Sequence, residues 1–264
     1  MRIVSLVPSS TETLLALGAD VAACTRFCEQ PDLPHVGGTK NPDLAAIVAI
    51  GPDLVVMDVE ENRIEDADAL RAAGLAVLAT DVCSLDDARR AVAALAEAAG
   101  IAVPPLDGHG ALERAPASPW ARALVPIWRR PWMVLGRGTY GASLLAHLGV
   151  DVVTPSQSGD GGGGGGGGGG GKYPTIELAD VADRLDLVLV PTEPYSFRDE
   201  HVDELVGAFP QANVQVVDGQ DLFWWGIRTP AATARLAAAL GVPAGPPRPG
   251  SEDPTCTTVF ERKR

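Results

Sequence analysis

Apolar residues recur along this chain in two rhythms, short unbroken runs and stripes at helical spacing. Ile3, Val4, Leu6 and Val7 within Arg2 to Pro8 predict a first strand, and Leu14, Leu15 and Leu17 mark a helix behind it that Gly18 stops. Ser9 and Glu12 stand at capping-box spacing ahead of that helix, whose free N–H groups suit an anionic ligand group. Val21 to Thr25 reads as a second strand. Gly37 to Met57 then reads as turn, helix and central strand. Asn41 is placed as N-cap, Pro42 at the first helical position and Asp43 at the positive end of the dipole. Leu44, Ile47, Val48 and Ile50 form one apolar face, Gly51-Pro52 ends the helix, and Leu54 to Met57 is the unbroken run that a doubly covered parallel strand requires. Ile64 to Ala73 is predicted helical, Leu75 to Thr80 extended, and Ser84 to Ala99 helical with Ser84 as N-cap.

The second half repeats the plan. Ala123 to Ile127, Leu185 to Val190 and Val214 to Val217 predict strands, Met133 to Leu135 an extended piece, and Ala142 to Leu148, Ile176 to Ala182 and Pro230 to Leu240 helices. Gly159 to Gly171, interrupted only by Asp160, reads as low-complexity linker with no means of packing. Gly171-Lys172 lacks the Ser or Thr that a phosphate loop needs, since Tyr173 follows, so this stretch is read as a mobile surface loop near the rim.

Four passages carry a resemblance. They are the turn Gly37 to Pro42 with the following helix and Gly51-Pro52-Asp53-Leu54-Val55-Val56, the opening Met1 to Gly18, the strand Gly74 to Asp81, and Asp218-Gly219 through Arg228-Thr229. Together they resemble the two-lobed solute-binding proteins that carry cobalamin, haem or ferric siderophores to ABC importers. The resemblance implies an α/β fold of two Rossmann-like lobes joined by a helical linker, with a ligand cleft between them. On this chain the lobes would be residues 1–82 and 123–241, the linker 83–122, and 242–264 a disordered tail. A single long helix joins the lobes in that family, whereas here Pro104, Pro105, Gly108, Gly110, Pro116, Pro119 and Pro126 interrupt the stretch. The bridge is therefore either Ser84 to Ala99 alone or a short piece from Trp120 to Val125. The resemblance further implies a monomer that binds a small metal chelate, has no covalently bound cofactor, is not an enzyme, and has an ABC transporter permease as partner. The carboxylates by which the family docks on that permease fall at Ala45 and Ala179 here, with Asp43 and Asp180 nearby.

A net charge of −13 excludes nucleic acid as partner, because phosphate binding needs clustered Lys and Arg, and the only basic cluster is Arg262-Lys263-Arg264. Cys24, Cys28, Cys83 and Cys256 form no metal-finger pattern; buried thiols are expected, with a redox pair or soft-metal site as the other reading. No apolar leader or transmembrane stretch precedes the first strand. Cleavage before Cys24, at a box resembling that of a lipoprotein, would remove a strand and a helix. The expected compartment is cytoplasmic for the chain as it stands and extracytoplasmic if Met1 begins a mature form.

Candidate ligand contacts are the side chains at predicted strand ends. In the first lobe these are Phe27, Glu29, Lys40 and Glu60, with Phe27 equally suited to a core and Glu61 and Asn62 to a helix cap. In the second they are Trp128, Arg129, Trp132, Tyr140, Glu193, Tyr195, Trp224 and Arg228. Loop tryptophans at one rim suggest a wall on which a flat, partly apolar ligand stacks, and arginines among them suit ligand carboxylates or cation–π contacts. For Trp225 and Arg228 a packed Trp–Arg corner is the alternative. Gly136-Arg137-Gly138-Thr139-Tyr140-Gly141 matches the dinucleotide fingerprint, but its helix is short and no acidic residue ends the next strand. It is read as a turn that aims Arg137 and Tyr140. A cytoplasmic nucleotide- or cofactor-dependent enzyme on the same fold is the alternative function. His35 and His201 have no metal-ligand spacing.

Overall fold

The continuous apolar run becomes the centre of a parallel sheet. In the computed structural model, which describes residues 1–103, 118–154, 171–181 and 184–242, β1 (Arg2–Ser5), β2 (Asp20–Cys24), β3 (Leu54–Asp58) and β4 (Val77–Thr80) line up in the order β2-β1-β3-β4, all parallel. Every residue of β3 is buried. The helices α1 (Pro8–Ala16), α2 (Leu44–Ile50) and α3 (Ile64–Ala72) provide the crossovers that parallel pairing demands.

A second parallel sheet follows the same plan. Its strands are β5 (Ala121–Leu124), β8 (Val150–Val152), β10 (Leu187–Pro191) and β11 (Asn213–Val217), in the order β11-β10-β5-β8. In both sheets the first strand lies between the second and third, and the fourth lies outermost. The second sheet also carries an antiparallel ribbon of β6 (Pro126–Trp128), β7 (Trp132–Val134) and β9 (Thr175–Ile176).

Between the sheets runs α4 (Leu85–Ala98), capped as its sequence suggests by Ser84, whose hydroxyl accepts from Asp87 N at 3.1 Å. It contacts α1 on one side and α5 (Tyr140–His147) on the other. One apolar cluster accordingly spans the molecule, from Ile3, Leu14 and Val56 through Leu85 and Leu95 to Leu144, Leu189 and Leu222. Each sheet has its own smaller cluster on the far side. The stretch Trp120 to Val125 contains strand β5 rather than a bridging helix, and the Pro/Gly positions from 104 to 117 lie outside the described residues, as do most of the glycine run and the tail from 243.

Several local expectations are corrected. Asp43, not Asn41, caps α2, its carboxylate accepting from Ala46 N at 3.0 Å, because Asn41 closes a turn with Gly38. Pro8 rather than Ser9 opens α1, its fixed φ suiting the first helical position, so Ser9 lies inside the helix. Of the helix expected over Ile176 to Ala182, the described residues 176–181 form none: Thr175–Ile176 pairs with β7 and only a 3-10 turn, Leu178–Asp180, follows. The acidic Asp199 and Glu200 with Val202 and Leu205 build an unanticipated helix, α6 (Asp199–Ala208). The short α7 (Gly219–Phe223) and α8 (Thr229–Leu240) close the described chain. None of its helices is long and apolar enough to cross a membrane.

Candidate functional site

The carboxyl ends of both parallel sheets open onto one cavity of about 750 Å³ between the lobes. This is where open parallel sheets bind ligands, and the size falls within the roughly 300–1,000 Å³ of small-molecule sites. From the first lobe it is lined by Pro8 and Ser9 after β1, Arg26, Phe27 and Glu29 after β2, and Asp58, Glu60 and Glu61 at the end of β3. From the second come Trp128, Tyr140, Tyr173, Glu193, Phe223, Trp224 and Trp225, with Ile127, Met133 and Leu135 as apolar floor.

Six of the twelve sequence candidates meet at this cavity by their rings or carboxylates: Phe27, Trp128, Tyr140, Trp224, Glu29 and Glu193. Phe27 is half exposed and carries the Arg26 guanidinium 4.7 Å over its ring. Trp128 is 45 % exposed and leans edge-on against Tyr195, ring centroids 5.1 Å apart. Tyr195 packs in turn on Phe197 and His201, so it buttresses Trp128 from behind. Trp224 donates its indole N–H to Glu193 at 2.7 Å and lies under Arg228. Tyr140 bonds Thr229 at 3.0 Å, and burial pushes its hydroxyl up to about 12. Burial also raises Glu193 and Asp58 above their ordinary values, against the donors Trp224 and Thr80, and Glu61, exposed at the rim, is raised by the protein packed around it and by the Asp58 charge.

Glu60, a seventh, reaches the cavity from the rim. It accepts from Tyr173 Oη at 2.8 Å and pairs with Lys172, which also donates to Cys83 Sγ at 2.9 Å. Burial and the Glu60 charge raise the Tyr173 hydroxyl well above the ordinary phenol. Lys40 donates to the Glu60 carbonyl, and its charge bears on Glu61.

Trp132, Arg129 and Arg228 are placed elsewhere. Trp132 is only 5 % exposed, stacked on Phe197 with 11° between planes, and belongs to the second lobe's own core. Arg129 covers that indole and makes a two-pronged ion pair with Glu204 at 3.0 Å. The reason is the ribbon: Trp128 and Trp132 flank its turn, and pairing of β6 with β7 sends them to different surroundings. Arg228 forms a two-pronged pair with Glu12 at 2.7 and 3.1 Å, tying the lobes together. Beside it Ile227 N donates to Thr13 Oγ1 at 3.3 Å.

Asn62 neither caps α3, whose N-cap is Arg63, nor lines the cavity. Its amide accepts from Asp58 N at 2.8 Å and donates to Thr39 O at 2.9 Å and Leu6 O at 3.4 Å, clamping three strand-end loops. Arg26 and Asp58 are lining residues that sequence reasoning passed over; Asp58 was legible as the polar residue ending the apolar run.

The glycine fingerprint has packing reasons. A Cβ on Gly136 would lie 2.5 Å from Gly171 O, Gly138 adopts φ +82°, and Thr139 caps α5. Arg137 pairs with Asp151 at 2.9 Å. Cys24 and Cys28 are buried, and Cys28 is the more readily ionised because Cys24, Thr11 and Thr25 hydrogen-bond it. His35 binds Gln30 O while His201 lies behind Tyr195. Among the described residues no three His, Cys, Asp or Glu side chains are grouped to hold a metal ion.

No family profile and no curated protein matches this sequence. Solved structures do. A periplasmic haem-binding protein from Pseudomonas aeruginosa superposes with a TM-score of 0.70 at 21 % identity, covering 92 % of this chain and 94 % of its own. The periplasmic vitamin B12-binding protein BtuF of Vibrio cholerae gives 0.69 at 17 %, covering 91 % and 96 %. The chain has the fold of periplasmic substrate-binding proteins. The periplasmic haem-binding protein RhuT from Roseiflexus sp. RS-1 gives 0.68 at 23 %, covering 90 % and 97 %, so the likeness extends over both lobes.

Proposed function

We propose that the protein is the substrate-binding component of an ABC-type importer, which holds a flat, partly apolar metal chelate between its lobes and releases it unchanged. The ligand belongs to the cobalamin-like, haem-like or ferric-chelate class. The observation that carries this reading is the cavity itself: an aromatic-walled space of about 750 Å³ at the carboxyl ends of two parallel sheets. Proteins of the same fold are named for binding haem and vitamin B12. Trp128, Trp224 and Phe27 supply the stacking surface, and Glu29, Glu60, Glu193 and Tyr140 the polar contacts. The protein acts as a monomer outside the cytoplasm and docks on a permease. It carries out no catalytic step.

The test is quenching of intrinsic tryptophan fluorescence by aquocobalamin, haemin, ferric hydroxamate and catecholate chelates, free metal ions and NADH. Saturable quenching by one chelate at micromolar concentration or below is expected. Quenching by NADH alone, or by none of them, refutes the proposal.

A further inference from the structure

The charge lining the cavity is predominantly negative. Among the described residues, five of its ionisable lining groups are carboxylates, Glu29, Asp58, Glu60, Glu61 and Glu193, and the sole lining guanidinium or ammonium group is Arg26. These acids come from both lobes. Glu29 and Glu193 are on separate lobes, and the charge of the first bears on the second. Each is held by a neighbouring donor through one oxygen, Gln220 Nε2 at 2.8 Å and Trp224 Nε1 at 2.7 Å respectively. Such bonds orient a carboxylate without neutralising it.

Three of the cations nearby are paired with acids, Arg228 with Glu12, Arg129 with Glu204, and Lys172 with Glu60. Arg26 lies over Phe27 and Lys40 donates to the Glu60 carbonyl, and Glu29, Asp58, Glu61 and Glu193 outnumber these two. A ligand carboxylate entering this space would meet an excess of like charges, which repel it. A ligand amide or ammonium would meet acceptors. Ionised carboxylates accept and cannot donate, so the chemistry of the wall defines the chemistry of the edge it receives.

Resting on the binding role proposed above, we infer that the ligand is a chelate whose periphery bears amide N–H or ammonium groups rather than carboxylates, and that Glu29 and Glu193 select it. The aromatic surfaces hold the ring, and the two glutamates read its edge from opposite lobes. Haem with free propionates and anionic catecholate chelates fall on the rejected side.

The experiment uses two matched pairs on the full chain: cobinamide against cobyrinic acid, whose edge is all carboxylate, and iron porphyrin bis-amide against its dipropionate. Fluorescence titration is expected to favour the amide member of each pair by about tenfold or more, the ratio that ~1.4 kcal/mol represents. Replacing both selecting residues, Glu29→Gln with Glu193→Gln, is expected to narrow that ratio. Equal or tighter binding of the carboxylate members to the unaltered protein overturns the inference and leaves the binding role standing. Failure of all four to bind, together with every chelate of the earlier panel, overturns both.

Discussion

Replacing Asn62 with alanine removes one side chain and strands groups from three loops. Its Oδ1 accepts from Asp58 N at 2.8 Å and its Nδ2 donates to Thr39 O at 2.9 Å, with a longer contact to Leu6 O at 3.4 Å. Asn62 is 7 % exposed, and Asp58 and Thr39 are likewise buried. A stranded buried donor or acceptor costs about 1–3 kcal/mol. Two such groups add to a loss of about 2–6 kcal/mol, the lower end applying if a water enters the vacated space. For a chain of this size each kcal/mol lowers Tm by about 2–4 °C. Urea unfolding followed by circular dichroism measures the loss directly, as a fall in midpoint with unchanged slope. The clamp also positions Thr39, Glu60 and Glu61 at the cavity, so chelate affinity falls with it. A stability loss below about 1 kcal/mol would refute the reasoning, since the loops would then be held by their backbones alone.

Trp128→Ala and Trp132→Ala separate two roles. The first is expected to weaken chelate binding with little change in unfolding midpoint; the second to cost about 3–5 kcal/mol of stability, since it empties a buried, stacked site. Titration and urea melts on both variants decide, and the reverse pattern refutes the assignment. Glu61→Gln tests the raised carboxylates. The folded state holds that proton more tightly than the unfolded state, so the stability from this group is present below the ordinary Glu value of about 4.3 and is lost as pH rises through its raised value. The variant is therefore expected to gain on the parent between pH 4 and 7 in thermal melts, and parallel curves would contradict it. Gly226→Ala is expected to cost about 2 kcal/mol or more, because φ is +117° and a Cβ would lie 2.1 Å from Thr13 Oγ1 at the contact between lobes. Gly241→Ala, at φ +62° in open space, is the control, with about 1 kcal/mol expected in the same melt.

Local sequence determined the elements and their order. The run Leu54 to Met57 could bury both faces only within a parallel sheet, Gly51 was free to take the left-handed turn that ends α2, and Ser84 supplied the cap of α4. The echo of these signals in the second half made the repeated lobe legible, and tryptophans at strand ends pointed to the cavity. Tertiary structure decided which of those side chains face inward. Trp128 and Trp132 are four residues apart with similar neighbours, yet one is 45 % and the other 5 % exposed. Arg228 looked like a ligand contact until Glu12, 216 positions away, took its charge, and Glu60 met Tyr173 across 113 positions. Hydrophobic period and capping act within a few residues and so are written locally. Ion pairing and the direction of a loop side chain depend on whichever distant group the fold brings near, and no local pattern records that.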